Sequence, residues 1–112
     1  MMRKIKQLFI FLYFSNFFNL LDSSAINLEE GKALFSQHCM ACHLNGINVI
    51  LPEKNLKIEA LKANGMDNPK SIQYQIRNGK NGMPAFGGRL NNEEIEKLSF
   101  YVIQSSQNDF SD

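Results

Sequence analysis

The spacing of its two cysteines constrains this chain more than any other feature. Cys39 and Cys42 are three residues apart, and His43 follows directly. Residues three and four apart share one face of a helical turn, so these three side chains can reach one bound group. Cys-x-x-Cys-His is the attachment pattern for c-type haem, with the histidine as an axial ligand of the iron. We therefore expect one haem c per chain, bonded covalently to Cys39 and Cys42, with His43 as the proximal ligand.

Other uses of two such cysteines fit the sequence less well. A thioredoxin-like redox pair needs a preceding strand and an α/β pattern, and neither is evident. A zinc site normally has four Cys or His ligands, and only His38 remains after these three. We expect His38 to be a surface side chain, because it adjoins Cys39 on the attachment side. A disulfide between the cysteines would close a very small loop.

The first 25 residues have the composition of a secretory signal. Three basic residues precede an aromatic-rich apolar run over residues 8–21, and the small residues Ser23, Ser24 and Ala25 follow it. A membrane anchor is the alternative, but the run is short for a full span. We therefore expect the leader to be removed, and the mature protein to be exported and not membrane-embedded.

The remaining residues, 26–112, are expected to form one small domain. Of the 12 basic and 11 acidic residues, three and one respectively lie in the leader, so the 87-residue domain carries a net charge of about −1. Nucleic-acid binding normally requires a basic patch, which this balance argues against. A domain of this size has a thin core, and a covalently held haem would supply much of the missing apolar volume.

Capping and turn residues predict an all-α fold of about four helices around the haem. Asn27 with Glu30 and Asn91 with Glu94 each form a capping-box pattern. Gly31 inside the first helix lowers helix propensity, which suggests that another backbone comes close there. The segment 44–56 is expected to be a loop around the porphyrin edge, with a short strand as the alternative, and the polar tail is expected to fray. The predicted helices cover residues 27–37, 52–63, 69–77 and 91–105.

Two methionines outside the leader and the haem motif are candidates for the second axial ligand. Met83 lies 40 residues after His43, far enough for the chain to pass round a haem. Pro84 biases Met83 towards an extended backbone, and Gly82 permits a close approach. Met66 sits at a helix end, where methionine is usually gap-filling core. We therefore predict that Met83 is the distal ligand, and that both axial positions of the iron are filled.

With these residues identified, nearly all of residues 26–112 resembles cytochrome c6, the photosynthetic class I cytochrome c of algae and cyanobacteria. The most specific stretch runs from Tyr74 to Leu90, and residues 48–56 resemble the haem-edge loop of that family. The resemblance implies the class I cytochrome c fold and the same four haem residues. It also implies that Gly31 and Phe35 pack against Tyr101, where the first and last helices cross.

The resemblance further implies roles and partners. Gln75 resembles a residue that tunes the haem potential, and Arg89 resembles one implicated in docking to photosystem I; the alternatives are an exposed helix residue and a solvated loop charge. The implied function is one-electron transfer from cytochrome f of the cytochrome bf complex to photosystem I in the thylakoid lumen, by a monomer that is not an enzyme. The chain departs from the family at Phe100, where a polar residue is common, and at Phe110, which falls near a usual tryptophan.

Two other functions remain open at this stage. A periplasmic carrier that delivers electrons to a terminal oxidase shares all of the chemistry and differs only in its partner. A haem peroxidase would need a vacant or labile sixth position, and no catalytic His or Arg is evident beside Met83.

Overall fold

The computed structural model describes residue 25 and residues 27–111, and helices make up its regular structure. Within these residues there is no strand, only an isolated antiparallel bridge between Lys80 and Met83. The predicted all-α class is thus confirmed, whereas the predicted leader lies outside the described residues except for Ala25. None of the helices described is long and apolar enough to cross a membrane. The helices are α1 (27–38), α2 (Met40–His43), α3 (Ile58–Ala63), α4 (Pro69–Asn78) and α5 (Asn92–Gln107), with 3-10 turns at Leu44–Gly46 and Pro52–Lys54.

Side-chain caps fix the starts of the two longest helices after the haem motif. The Asn68 side chain accepts a hydrogen bond from the Ser71 amide at 2.9 Å, with proline at the first helical position. At α5, Asn91 and Glu94 form the reciprocal capping box, with hydrogen bonds of 2.8 and 2.9 Å. Both starts are as predicted, because each is specified within a few residues of sequence.

The start of α1 differs from the prediction. Asn27 is itself helical, and so is Ala25, so Asn27 does not cap the helix. Glu30, the expected partner in the capping box, instead forms an ion pair with Lys97 of α5. Lys97 also contacts Glu93 at 3.1 Å. Its hydrogen bonds to Glu30 and then Glu93 raise the pKa of Lys97.

The helix predicted over residues 52–63 is broken in two. A 3-10 turn at Pro52–Lys54 is separated from α3 by extended backbone at Asn55 and Lys57. The Asn55 side chain accepts a hydrogen bond from the Lys57 amide at 2.9 Å, which favours a local turn over helix. In the segment before it, the strand alternative is wrong, because residues 44–51 form turns and irregular backbone.

The core is built around α5, and α1 crosses that helix at Gly31. A Cβ atom at Gly31 would lie 2.7 Å from the Lys97 carbonyl oxygen and 2.9 Å from Tyr101 Cβ, so only glycine fits there. Phe35, one turn on, packs on Tyr101 with 5.3 Å between ring centroids. Both predicted contacts are therefore confirmed. The buried apolar residues are Phe35, Leu61, Ile72, Ile76, Phe86, Leu90, Ile95, Leu98, Tyr101 and Val102.

The tail after α5 is anchored, which corrects the prediction that it frays. The Phe110 amide donates to the Ser105 carbonyl at 2.8 Å, and the Asp109 amide to that of Ser106 at 3.4 Å. These two bonds form a Schellman cap, in which Asp109 takes the left-handed position (φ 55°) that glycine usually fills. Asp109 also forms an ion pair with Lys57 at 2.9 Å, and the Phe110 side chain packs against the core.

Candidate haem site

One cavity of about 270 Å³ is lined by all five residues predicted to serve the haem, namely Cys39, Cys42, His43, Gln75 and Met83. Arg89, which was predicted to serve docking, does not line it. The rest of the lining is mostly apolar, as expected for a site that excludes water from a bound porphyrin. The apolar lining comes from all parts of the fold and comprises Phe35, Ile50, Leu51, Leu56, Ala60, Leu61, Met66, Ile72, Ile76, Pro84, Phe86, Leu98 and Val102.

The attachment motif forms a helical turn that presents three side chains to the cavity. The amides of Cys42 and His43 both donate to the Cys39 carbonyl, at 3.2 and 2.9 Å. His43 Nδ1 lies 2.9 Å from the carbonyl oxygen of Ile47. Because a carbonyl oxygen can only accept, Nδ1 carries the proton and Nε2 keeps the lone pair that a metal requires. This tautomer fits His43 for an axial position on haem iron.

Cys39 and Cys42 are not joined by a disulfide, so both sulfur atoms are available to bond haem. Burial raises the pKa of the Cys39 thiol to about 11, and the neighbouring Cys42 adds to the shift. Catalytic redox pairs of the thioredoxin type instead depend on a lowered thiol pKa. The raised pKa therefore argues against thiol–disulfide exchange at this site.

Left-handed residues turn the chain back onto His43. Asn45 (φ 55°) and Gly46 (φ 81°) reverse the backbone after α2, which brings the Ile47 carbonyl to the imidazole. Asn48 then holds the following loop: its side-chain oxygen accepts hydrogen bonds from the amides of Ile50 and Leu51 at 3.0 and 2.9 Å, and its amide donates to the Lys54 carbonyl at 2.9 Å. Sequence reasoning missed this organising role, although asparagine in a turn region is the signal that could have suggested it.

Away from the attachment motif, a tight turn over residues 80–83 brings Met83 to the cavity. Lys80 and Met83 exchange two backbone hydrogen bonds of 3.1 and 3.0 Å across Asn81 and Gly82, both at positive φ. Gly79 leaves space for this turn, because a Cβ atom there would collide with the Met83 carbonyl oxygen. Gly82, the glycine predicted to permit a close approach, has φ 94°, and a Cβ atom there would lie 3.3 Å from the Ile50 side chain; the tight backbone approach to Met83 is at Gly79.

Gln75 is the polar neighbour of the candidate sulfur ligand. Its side-chain nitrogen lies 3.7 Å from Met83 Sδ, within hydrogen-bond distance for a sulfur acceptor. Met66 also lines the cavity, and both Met66 and Met83 pack against the hydrophobic core. Met83 therefore has a polar partner at its sulfur, and the packing role of Met66 stays a prediction.

His38 and Arg89 both contact the buried Phe86 ring. His38 meets it edge-on at 6.1 Å, and the Arg89 guanidinium stands 4.9 Å from its centroid. His38 is half-buried and lines the cavity, so its prediction as a surface side chain is wrong. Arg89 is exposed, and its cation–π contact holds the charge one residue layer outside the cavity.

The fold and the site together define a class I c-type cytochrome: helices around one apolar cavity, with Cys-x-x-Cys-His and a methionine turn in its wall. Comparisons with known proteins agree. A family model described as cytochrome c oxidase, cbb3-type, subunit III matches residues 26–102. Cytochrome c6 of Petalonia fascia is 52% identical over 82 residues, which cover 73% of this chain and 96% of that protein.

Two further relatives extend the similarity in length and in structure. Cytochrome c6 of Gracilaria tenuistipitata var. liui is 44% identical over 106 residues, or 93% of this chain and 98% of the relative. The solved structure of cytochrome c6 from the diatom Phaeodactylum tricornutum matches with a TM-score of 0.71 and 46% identity, over 73% of this chain and 97% of that one. The chain therefore belongs to the family of the matching model, and its relatives identify it as a member of the cytochrome c6 family. It carries haem c covalently and acts as an electron carrier, not as an enzyme.

Proposed function

We propose that this carrier takes electrons from cytochrome f of the cytochrome bf complex and delivers them to photosystem I in the thylakoid lumen. Cys39 and Cys42 hold the haem, and His43 and Met83 are its axial ligands. When bound, haem c supplies a one-electron iron couple whose potential the axial ligands and their neighbours set. The observation that carries the proposal is the shared cavity of these four residues, in which His43 Nδ1 is already engaged by the Ile47 carbonyl.

The residues around the cavity have separate tasks in this proposal. The apolar lining excludes water, Gln75 donates to the Met83 sulfur, and Ile47 orients the imidazole of His43. A polar group that donates to the sulfur reduces the electron density that the thioether can give to iron. The chain therefore tunes the site mainly through the surroundings of its two ligands.

A docking surface is available beside the cavity. We call it the apolar loop face; its members are 45–56% exposed and are Leu44, Ile47, Val49 and Ile50. Ile50 also lines the cavity, so this face adjoins the haem site. Transient redox complexes use small interfaces that are steered by charge. In the proposed complex with photosystem I, the apolar loop face makes the contact and Arg89 contributes attraction to an acidic partner surface.

The leader also belongs to this proposal. Residues 1–25 carry a basic start and an apolar run, and we propose that they direct export and are then removed, which leaves residues 26–112 as the lumenal cytochrome c domain, a monomer. Mass measurement of the protein from its host tests this: the expected mass is that of the shortened chain plus one haem. A mass that includes the leader would contradict removal.

Replacement of Met83 tests the ligand set. In Met83→Ala, the weak red absorption band of the oxidised protein that reports sulfur–iron bonding should disappear, because no other thioether replaces it. Met66→Ala is the matched control, since Met66 lines the same cavity and is assigned to packing; it should keep the band. Survival of the band in Met83→Ala, or its loss only in Met66→Ala, would reject Met83 as the ligand.

Flash kinetics with isolated photosystem I test the partner. The reduced protein should be oxidised rapidly after a flash, and Arg89→Glu should slow the second-order reaction by roughly tenfold at low salt, with the difference shrinking as salt is added. Lys70→Glu, an exposed residue at the start of α4, makes the same change in net charge and is the control. Equal slowing by both variants would mean that only net charge matters.

One finding favours a second candidate partner. The matching family model is described as a subunit of a cbb3-type oxidase, so the reduced protein should also be mixed with an isolated terminal oxidase. Rapid oxidation by the oxidase, together with no oxidation by photosystem I, would replace the photosynthetic role with a respiratory one.

A further inference from the structure

The end of the chain reaches back to the haem-binding loop. The Phe110 ring covers Gly46 so closely that a Cβ atom at Gly46 would lie 2.5 Å from a ring carbon. The same ring packs near Phe35, with 6.1 Å between centroids, and the Lys57 ammonium lies 5.9 Å from its centre. Lys57 is also the ion-pair partner of Asp109. Two consecutive tail residues thus contact both ends of the segment from Gly46 to Lys57.

The backbone of the tail indicates that these contacts hold it in place. Asp109 and Phe110 both have left-handed backbone, with φ of 55° and 53°. This conformation is uncommon for residues other than glycine, and for a bulky side chain such as Phe110 it is an outlier. Such residues persist where the surroundings over-determine them, and they concentrate at functional sites. Here the surroundings are the Schellman cap, the Lys57 ion pair and the pocket over Gly46.

Gly46 connects this contact to the proposed proximal ligand. Its own carbonyl accepts a hydrogen bond from the Leu56 amide at 2.7 Å, and the next carbonyl, that of Ile47, accepts the one from His43 Nδ1 at 2.9 Å. Displacement of Gly46 would therefore move both acceptors. The orientation and basicity of a metal-bound imidazole depend on the acceptor at its other nitrogen.

We infer that Phe110 is a positioning residue for the haem site: by packing on Gly46, it fixes the Ile47 carbonyl against His43. Asp109 assists by holding Lys57 at the far end of the same segment. The inference deepens the proposed function and rests on the role given there to His43. It assigns to the last residues of the chain an effect on the haem, although Phe110 does not line the cavity.

Three variants of the haem-loaded protein test this inference. Phe110→Ala removes the ring, and Phe110→Trp replaces it with another aromatic ring. Phe100→Ala is the matched control, because Phe100 is 49% exposed on α5 and lines a groove beside Asn27 and Leu28. Hydrogen exchange is measured by NMR in the reduced state for the Leu56 amide and the His43 Nδ1 proton. The Phe86 amide, which donates to the Ile76 carbonyl, is the internal reference.

Phe110→Ala should speed exchange of the Leu56 and His43 protons by at least about tenfold, and leave that of Phe86 within about twofold. It should also shift the midpoint potential, while Phe110→Trp restores both readouts and Phe100→Ala changes neither. If Phe110→Ala does not fold with haem, Phe110→Leu should give an intermediate effect on the same protons.

Three results would overturn the inference. These are unchanged exchange in Phe110→Ala, equal acceleration at Leu56, His43 and Phe86 as in a general loss of stability, and the same effect from Phe100→Ala. The wild-type protein distinguishes a failure of this inference from a failure of the proposed function. If the NMR signals of its His43 protons are not shifted by the haem, the proposed ligand set is wrong. In that case the Leu56 amide still reports whether the tail holds the loop.

Discussion

The side-chain amide of Gln75 is the polar group that the fold brings to the sulfur of Met83. Its nitrogen is 3.7 Å from Sδ, and both residues line the cavity. The positive end of an N–H dipole directed at the site disfavours the more positive, oxidised iron. At the scale of single residues, Gln75 is therefore expected to raise the midpoint potential.

Replacement of Gln75 by valine should lower that potential. A hydrogen bond worth about 0.5–1.5 kcal/mol corresponds to roughly 20–60 mV for a one-electron couple, so a decrease of this size is expected in a redox titration. Gln73→Val is the matched control, because Gln73 lies on the same helix and donates to Ser99 at 3.0 Å, outside the cavity. It should reduce stability and leave the potential unchanged; an equal decrease in both variants would remove Gln75 from the tuning role.

Residue-level prediction from sequence is strongest where chemistry is encoded locally. Spacing alone predicts the roles of Cys39, Cys42 and His43, and the flanking Gly82 and Pro84 predict that of Met83; the structure brings all four to one cavity. The half-buried position of His38 could not be read in this way, because it depends on Phe86, which is 48 positions away in sequence. Long-range contacts of this kind leave no local pattern.

Among the helices, the crossing of α1 on α5 depends on the absence of a side chain at Gly31. The Lys97 carbonyl and Tyr101 Cβ occupy the space that a methyl group would need. The neighbouring Phe35–Tyr101 contact is thereby held at 5.3 Å between centroids. Phe35 also lines the haem cavity, so this crossing supports the site as well as the core.

Gly31→Ala should destabilise the haem-loaded protein, although alanine is the better helix former. The gain in helix propensity is about 1 kcal/mol, while overpacking against backbone costs about 1–3 kcal/mol, so a net loss of about 1 kcal/mol is expected in denaturant unfolding. Gly88→Ala is the control, since nothing lies within 4 Å of the added methyl group there. A higher free energy of unfolding in Gly31→Ala would contradict this, because it would show that α1 and α5 can move apart without loss of stability.

Helix boundaries, like site residues, were predictable where nearby residues set them and were missed where distant residues set them. The starts of α4 and α5 were predictable because Asn68, Asn91 and Glu94 act within three residues of themselves. The break at Asn55 is also local, but the helical periodicity of the segment concealed it. The ordered tail was missed because no glycine marks its Schellman cap, and because its stabilising partners, Gly46 and Lys57, lie far back in the sequence.

For the whole molecule, the decisive feature is that the haem cavity lies inside the core. Without haem, buried apolar residues that line the cavity, such as Leu61, Ile76 and Leu98, would lose a packing partner. The total stability of a typical domain is only about 5–15 kcal/mol, and a domain of fewer than 90 residues is at the lower end. The haem is therefore part of the core as well as the redox centre.

Residues 26–112 produced without haem attachment should thus fail to fold. The expected result is a loss of most helical circular dichroism and narrow dispersion of amide NMR signals, with no cooperative thermal transition. The same segment with haem attached is the control and should show native dispersion. A haem-free form that unfolds cooperatively would contradict this account of the core.

The turn that carries Met83 and the attachment motif are stabilised by different parts of the fold. Two backbone hydrogen bonds, from Phe86 to Ile76 and from Gly87 to Arg77, at 2.9 and 3.1 Å, join it to the end of α4. His43 instead depends on the reversal at Asn45 and Gly46. The Met83 turn is therefore expected to move without the attachment motif, which the proposed bonds of Cys39 and Cys42 to haem would hold in place. As denaturant is added, the haem absorption spectrum should therefore change first, through loss of the proposed Met83 ligand, while most of the helices are still intact.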